Sequence, residues 1–262
     1  MLDRALDPAL DVRLRETSLS FRYGPGVSGP DPEYRTLDAI RGSLLDPQCS
    51  GPDPVYGIAM DVARAQDMKD LQQRMLLYGI VAYAAGRLGQ EPPRSQGHVH
   101  AIAAHSGWSP PEVFEILQGR AIVYAQRSTD DDPGPCVAVT AGPNEKIVVP
   151  PGWAHCVINA DPNQRMVFAA WCDRQYGFLY DGVRKHGGLA WFPVLDDRNR
   201  IHWRPNPTYR PSELTRHAAR SYSELELDPN LSLYEQFLQK PDSLMYVSEP
   251  SRKADVWKNF VP

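Results

Sequence analysis

The sequence predicts an all-β chain built as an antiparallel double-sheet jelly roll. Short apolar or alternating runs recur along most of the chain, and turn signals rich in Gly, Pro, Asn or Asp separate them. The 25 prolines exceed an average share, which suits short strands joined by turns. His98 and His100 stand two apart, a spacing that puts both imidazoles on one face of a strand.

The elements follow in order. Residues 18–23 alternate and predict an edge strand, broken by Gly24, Pro25 and Gly26. Leu37, Ile40, Leu44 and Leu45 fall at helical spacing and predict a short helix that stops near Pro47. A strand is expected at residues 54–62, a polar bridge at 67–71 and an apolar strand at 75–85, with a turn at 86–89. The His-x-His strand comes next, followed by a loop at residues 103–111. Further strands are predicted at 112–117, 121–126, 137–139, 146–149 and 166–172, the last apolar enough to be buried on both sides. Residues 189–195 and 201–203 read as strands joined by a turn at 196–199. Beyond Pro211 the composition changes. Ser212, with Glu213 after it, is expected to cap a helix, and residues 231–238 form a second helical candidate. Pro241, Pro250 and Pro262 argue against a separate compact domain. The chain therefore divides into an N-terminal arm and edge strand (1–33), a barrel domain (34–210) and a C-terminal extension (211–262). The extension is expected to wrap the barrel or a partner subunit.

With 262 residues and 42% hydrophobic content, the chain can bury a core, and bulk disorder is excluded. A net charge of −4 without a basic block argues against a nucleic-acid partner. Four cysteines in a chain of this length read as buried free thiols, not a disulfide scaffold. The opening residues carry no apolar signal region and no run approaches a membrane span, so a soluble cytoplasmic protein is expected.

The chemistry concentrates in Gly97-His98-Val99-His100, Glu112, and Pro150-Pro151-Gly152-Trp153-Ala154-His155. Three imidazoles and a carboxylate from neighbouring strands can hold one divalent metal with open positions, a donor set that suits iron, manganese or zinc. Glu112 lies twelve positions after His100, and His105, inside the intervening loop, competes with it as fourth ligand. Glu112 has the strand context that His105 lacks.

These residues resemble the cupin superfamily. Gly97, His98, His100, Glu112 and Gly119 match its first motif, and residues 150–155 with Asn159 match its second. The resemblance extends to the cupin-type glucose-6-phosphate isomerases over roughly residues 34–203. It is carried by Arg35-Thr36-Leu37, Gly86-Arg87-Leu88-Gly89, Glu112-Val113-Phe114, Val149 through His155, and Gln175-Tyr176-Gly177. It implies a metal-dependent aldose–ketose isomerase acting on a sugar phosphate. One divalent ion per subunit, Fe2+ first with Mn2+, Zn2+ or Ni2+ as alternatives, would be held by His98, His100, Glu112 and His155. Glu112 would be the base and Tyr176 a hydrogen-bonding partner of the reacting oxygens. Ser95 and the Gly97 amide would bind phosphate, Arg87 would supply charge, and Tyr56 would line the pocket. A homodimer is also implied. Two departures weaken the substrate part of this expectation: Phe114 stands where the family has Tyr, and Val81 where it has a phosphate-binding Thr. The alternatives are another metal-dependent cupin enzyme, an Fe(II) oxygenase or a specialised-metabolism lyase, and a non-catalytic small-ligand-binding cupin.

Overall fold

Alternate positions of a strand face opposite sides of its sheet, and here both sides of the long strands are buried. The computed structural model describes residues 5–262; residues 1–4, the start of the stretch read as lacking a signal region, lie outside the described residues. The strand Glu112–Gln118 sends Phe114 and Ile116 into one apolar cluster and Val113 into another. In Met166–Asp173, Phe168, Ala170 and Cys172 alternate in the same way with Val167, Ala169 and Trp171.

Among the described residues, two main sheets result. A six-stranded antiparallel sheet runs in the order Lys146–Val149, Glu112–Gln118, Met166–Asp173, Leu76–Tyr83, Tyr56–Met60, Glu33–Arg35. A four-stranded sheet runs Ala154–Asn159, Ala121–Gln126, Cys136–Ala141, Leu214–Ala218. Their inner faces share one core, in which Val81, Tyr83, Phe114 and Phe168 meet Val123, Val137, Val139 and Val157. This is the all-β double-stranded cupin barrel that the sequence predicts.

The tails decide what covers the outside. The outer face of the six-stranded sheet, with Tyr78, Val113 and Trp171, packs against Leu10, Val12 and Phe21 from the N-terminal segment. Leu233, Tyr234, Phe237 and Tyr246 from the C-terminal extension pack against it too. Helix Leu233–Gln239 starts with a full capping box: Ser232 accepts from Glu235 N–H, and the Glu235 carboxylate accepts from Ser232 N–H. The hairpin Trp191–Leu195 with Ile201–Pro205 covers the four-stranded sheet, as Trp203 stacking near Tyr124 at 5.6 Å shows.

Three local expectations are corrected. Ser212 does not cap a helix. Residues Leu214–Ala218 extend the four-stranded sheet by pairing in parallel with Cys136–Ala141, and the Ser212 hydroxyl accepts from Trp191 Nε1 at 3.1 Å. An open sheet edge outweighs a local helix signal, because it satisfies a whole row of backbone groups. The polar stretch at 67–71 belongs to helix Met68–Gln73, which buries Leu71 and carries an Asp70–Arg74 pair at 3.0 Å. The predicted helix near residue 37 shrinks to the turn Leu37–Ile40, capped by Thr36 and continued as the 3-10 turn Arg41–Ser43. Among the described residues no helix is long and apolar enough to cross a membrane.

Candidate metal centre

The site is assembled from three strands. His98 and His155 exchange backbone hydrogen bonds, His98 N–H to His155 O at 3.1 Å and the reverse at 2.9 Å, which fixes the His-x-His segment beside Ala154–Asn159. Gly97 enters this segment at φ +90°, and a Cβ there would lie 2.8 Å from Leu189, so both backbone and space require glycine. Glu112 opens its own strand opposite Val149. Each of the four residues offers one ligand atom, and these atoms lie within 4.8 Å of one another.

The residues fit a divalent ion. Nε2 of His98 and of His100 are buried without a hydrogen-bond partner, which is costly unless something else satisfies them. His100 Nδ1 lies 2.9 Å from Pro110 O, and His155 Nδ1 lies 3.2 Å from Trp153 O. A carbonyl only accepts, so each Nδ1 carries a proton and each Nε2 is turned toward the Glu112 carboxylate, where a divalent ion would stand in place of a proton. Burial, reinforced by the two neighbouring imidazoles, pushes His98 well below its ordinary value and favours the neutral ring. Burial alone would raise the Glu112 carboxyl. Close contact and charge from the His100 and His155 rings, with Nε2 to Oε2 distances of 3.3 and 3.1 Å, outweigh it and hold the group far below the usual carboxylate range. The other carboxylate oxygen, Oε1, accepts from the Cys172 thiol at 3.2 Å. Burial and the adjacent Glu112 charge push that thiol well up, so it stays protonated and donates.

The long loop after His100 does not displace the carboxylate. It folds back so that Ser109 Oγ donates to His100 O at 2.8 Å and Gly152 N–H donates to Ser109 Oγ at 3.1 Å, while Pro110 anchors the His100 ring. His105 points elsewhere, to Gln175 Oε1 at 3.1 Å, Ser248 O at 3.0 Å and Asp173 at 3.2 Å, and is not part of the cluster.

His98, Glu112 and His155, but not His100, line a cavity of about 660 Å³, mouth included, between the two sheets. Tyr56, Ser95 and Gly97 line it. Tyr56 stacks on Tyr83 at 4.8 Å, and the Ser95 hydroxyl accepts from Val157 N–H at 3.1 Å. Val81 and Phe114, the two departures noted in the sequence, both stand in the wall beside Phe168 and Ala170. Two expectations are corrected. The Arg87 guanidinium is bonded to Asn199 Oδ1 at 2.9 Å and to the Asp196 carbonyl, and it does not line the cavity, because the 196–199 turn captures it. Tyr176 is 39% exposed and also stays outside the lining. In its stead Phe178, whose ring is 4.3 Å from that of His98, and Tyr180, at 6.0 Å, form the wall. The alternation Tyr176-x-Phe178-x-Tyr180 pointed to Phe178 and Tyr180, next to Val99–His100 through the Phe178–Leu179 strand, but did not tell Tyr176 from them. Sequence reasoning also missed Arg35, Gln96 and Cys172 as lining residues.

An oxalate oxidase solved with glycolate superposes with a TM-score of 0.36 at 13% identity over 48% of this chain and 54% of that one. A vicilin from Corylus avellana gives 0.35 at 12% over 49% and 31%. A mutant oxalate decarboxylase from Bacillus subtilis gives 0.34 at 16% over 47% and 27%. The chain thus spans about half the length of the oxalate oxidase, and less of the other two. No curated protein matches the sequence. A family model described as glucose-6-phosphate isomerase (GPI) matches residues 44–211, more than half of the chain and all four candidate ligands. The chain belongs to the cupin-type glucose-6-phosphate isomerase family.

Proposed function

We propose that the protein is a metal-dependent aldose–ketose isomerase acting on a sugar phosphate. The observation that carries this reading is the convergence of His98, His100, Glu112 and His155, three of which line a cavity that Arg35 also lines. One divalent ion per chain, Fe2+ first and Mn2+, Zn2+ or Ni2+ as alternatives, would supply Lewis-acid stabilisation of negative charge on two adjacent substrate oxygens. The chain's own groups do the rest. Glu112 is ionised and faces the cavity, so its carboxylate is the acceptor for the proton that leaves the substrate carbon and the donor that returns it. The Cys172 thiol fixes one oxygen of that carboxylate, and the carbonyls of Pro110 and Trp153 fix the rings of His100 and His155. Phe114, Phe168 and the Tyr56–Tyr83 stack exclude water from the reacting end.

A second reading is favoured by the wall itself. Ile58, Met60, Val81, Phe114, Phe168 and Ala170 offer a polyhydroxylated substrate few hydrogen-bond partners, which suits another metal-dependent cupin enzyme with a less polar substrate. One experiment separates the two: metal-reconstituted protein is offered fructose 6-phosphate while oxygen consumption is recorded in parallel. Oxygen-independent formation of the aldose supports the isomerase. Oxygen uptake with ferrous iron supports an oxygenase, and binding without turnover supports a non-catalytic ligand-binding role.

A further inference from the structure

We propose that Arg35, Tyr180 and Gln96, backed by Arg184, form an anion subsite at the cavity that holds the phosphate of a phosphorylated substrate; the assignment rests on the sugar-phosphate reading above.

Charge comes first. Arg35 is the one guanidinium or ammonium group among the described residues that line the cavity. Its strand, Glu33–Arg35, is the edge strand of the six-stranded sheet, and Arg35 sits opposite Tyr56 in register. Its carboxylate partner is Glu33, whose side chain is 70% exposed. A pair that open to solvent is weakly held and readily exchanged for a doubly charged oxyanion. Arg184 stands behind the wall. Its Nε donates to Gln96 Oε1 at 3.4 Å, and its guanidinium lies 5.0 Å from the centre of the Tyr180 ring. It makes no ion pair with a described carboxylate, so its charge is uncompensated next to two lining residues. Gln96 is itself 6% exposed, a buried amide set into the wall. Arg35, Gln96 and Tyr180 line the same cavity, and Arg184 reaches both Gln96 and the Tyr180 ring, so these groups stand together as a second polar cluster beside the metal ligands.

Position comes second. The Tyr180 ring is 6.0 Å from that of His98, so the cluster is one side chain away from the metal ligands. An anion held there is a remote handle, with the reacting carbons left free to reach Glu112. Elimination agrees. Arg87, the cation expected from the sequence to meet phosphate, is committed to Asn199 and the Asp196 carbonyl, and Val81 offers no hydroxyl. A guanidinium fork matches phosphate oxygens two at a time, which makes arginine an effective replacement for a hydroxyl donor.

The test is calorimetric titration of the metal-reconstituted full chain with inorganic phosphate. Arg35→Ala should weaken phosphate binding about tenfold or more, and Arg184→Ala less, since charge-assisted contacts are the strong ones. Glu33→Gln should tighten it, because it removes the competitor for Arg35; this gain cannot come from misfolding. His155→Ala, which loses metal, should still bind phosphate in an Arg35-dependent way. Phosphate binding that survives Arg35→Ala, or that disappears with His155→Ala, would overturn the subsite. Kinetics with fructose 6-phosphate then separate the two readings. A raised KM with nearly unchanged kcat in Arg35→Ala supports both. Arg35-dependent phosphate binding without any turnover of sugar phosphates overturns the isomerase and keeps the subsite. Turnover with the same KM in Arg35→Ala and wild type keeps the isomerase and overturns the subsite.

Discussion

Glu112 and Glu115 lie three residues apart on one strand, both buried, and face opposite sides of the six-stranded sheet. Glu112 meets two imidazoles and is held strongly ionised. Glu115 faces the C-terminal extension. Its Oε2 accepts from Leu233 N–H at 2.7 Å, Lys146 Nζ is 3.8 Å away, and burial pushes its carboxyl up to about 7. Lys146 spends a hydrogen bond on Leu231 O at 2.7 Å, and buried Asp7 sits nearby, itself raised by burial and bonded to Tyr78 and Ser232. The comparison teaches that burial alone does not set the charge of a carboxylate. Partners do, and on this strand they divide the two faces into one for chemistry and one for attachment of the tail.

The largest expected effect is on the inner face. Glu112→Gln keeps the side-chain shape but removes the charge, so metal affinity should fall by at least ~100-fold, the upper range seen even for losses outside the ligand set. Elemental analysis after dialysis checks this, and Glu115→Gln should retain metal like wild type. Loss of metal in Glu115→Gln, or full metal in Glu112→Gln, would break the comparison.

Trp171→Ala attacks the outer face. Trp171 packs against Tyr78 at 4.9 Å and Phe237 at 5.3 Å and donates to Leu233 O at 3.1 Å. Its truncation should cost roughly 3–5 kcal/mol in urea unfolding while the folded protein still takes up metal. A variant as stable as wild type would show that the extension is not anchored there.

The smaller outer-face effect is a pH dependence. Glu115 holds its proton more tightly in the folded state, at about 7 against an ordinary 4.5. The stabilisation is therefore complete below the unfolded value and is lost as pH rises through the folded one. The stability of wild type relative to Glu115→Gln should fall across this window by on the order of 1–3 kcal/mol. A difference that does not change with pH would mean that Lys146 keeps Glu115 ionised throughout.

The smallest effect sharpens the ligand assignment. His105→Ala should leave metal content unchanged and cost about 1 kcal/mol, the worth of a typical hydrogen bond. An emptied metal site would put His105 in place of Glu112.

Particular residues show what was legible. The strands around the core were readable because period-two alternation records which side chains meet the opposite sheet. Phe114, Phe168 and Val157 follow it, as do the paired rings of His98 and His100. Local signals were weaker where a distant segment competes for the same backbone. Ser212 reads as a helix cap until the edge of Cys136–Ala141 takes Leu214–Ala218 into the sheet.

The sequence by itself determined the barrel, the grouping of His98, His100, Glu112 and His155, and the short helix near residues 231–238, because each is written in spacing and strand or turn context. Only the tertiary structure decided which cation reaches the cavity and which tyrosine lines it. The sequence pointed to Arg87 and Tyr176, whereas Arg35 and Tyr180 line the cavity. Arg87 is diverted by the 196–199 turn, and Tyr176 stays 39% exposed outside the lining. A side chain's chemistry is fixed by its type, but its target is fixed by contacts between segments far apart in the chain, and no local pattern records those.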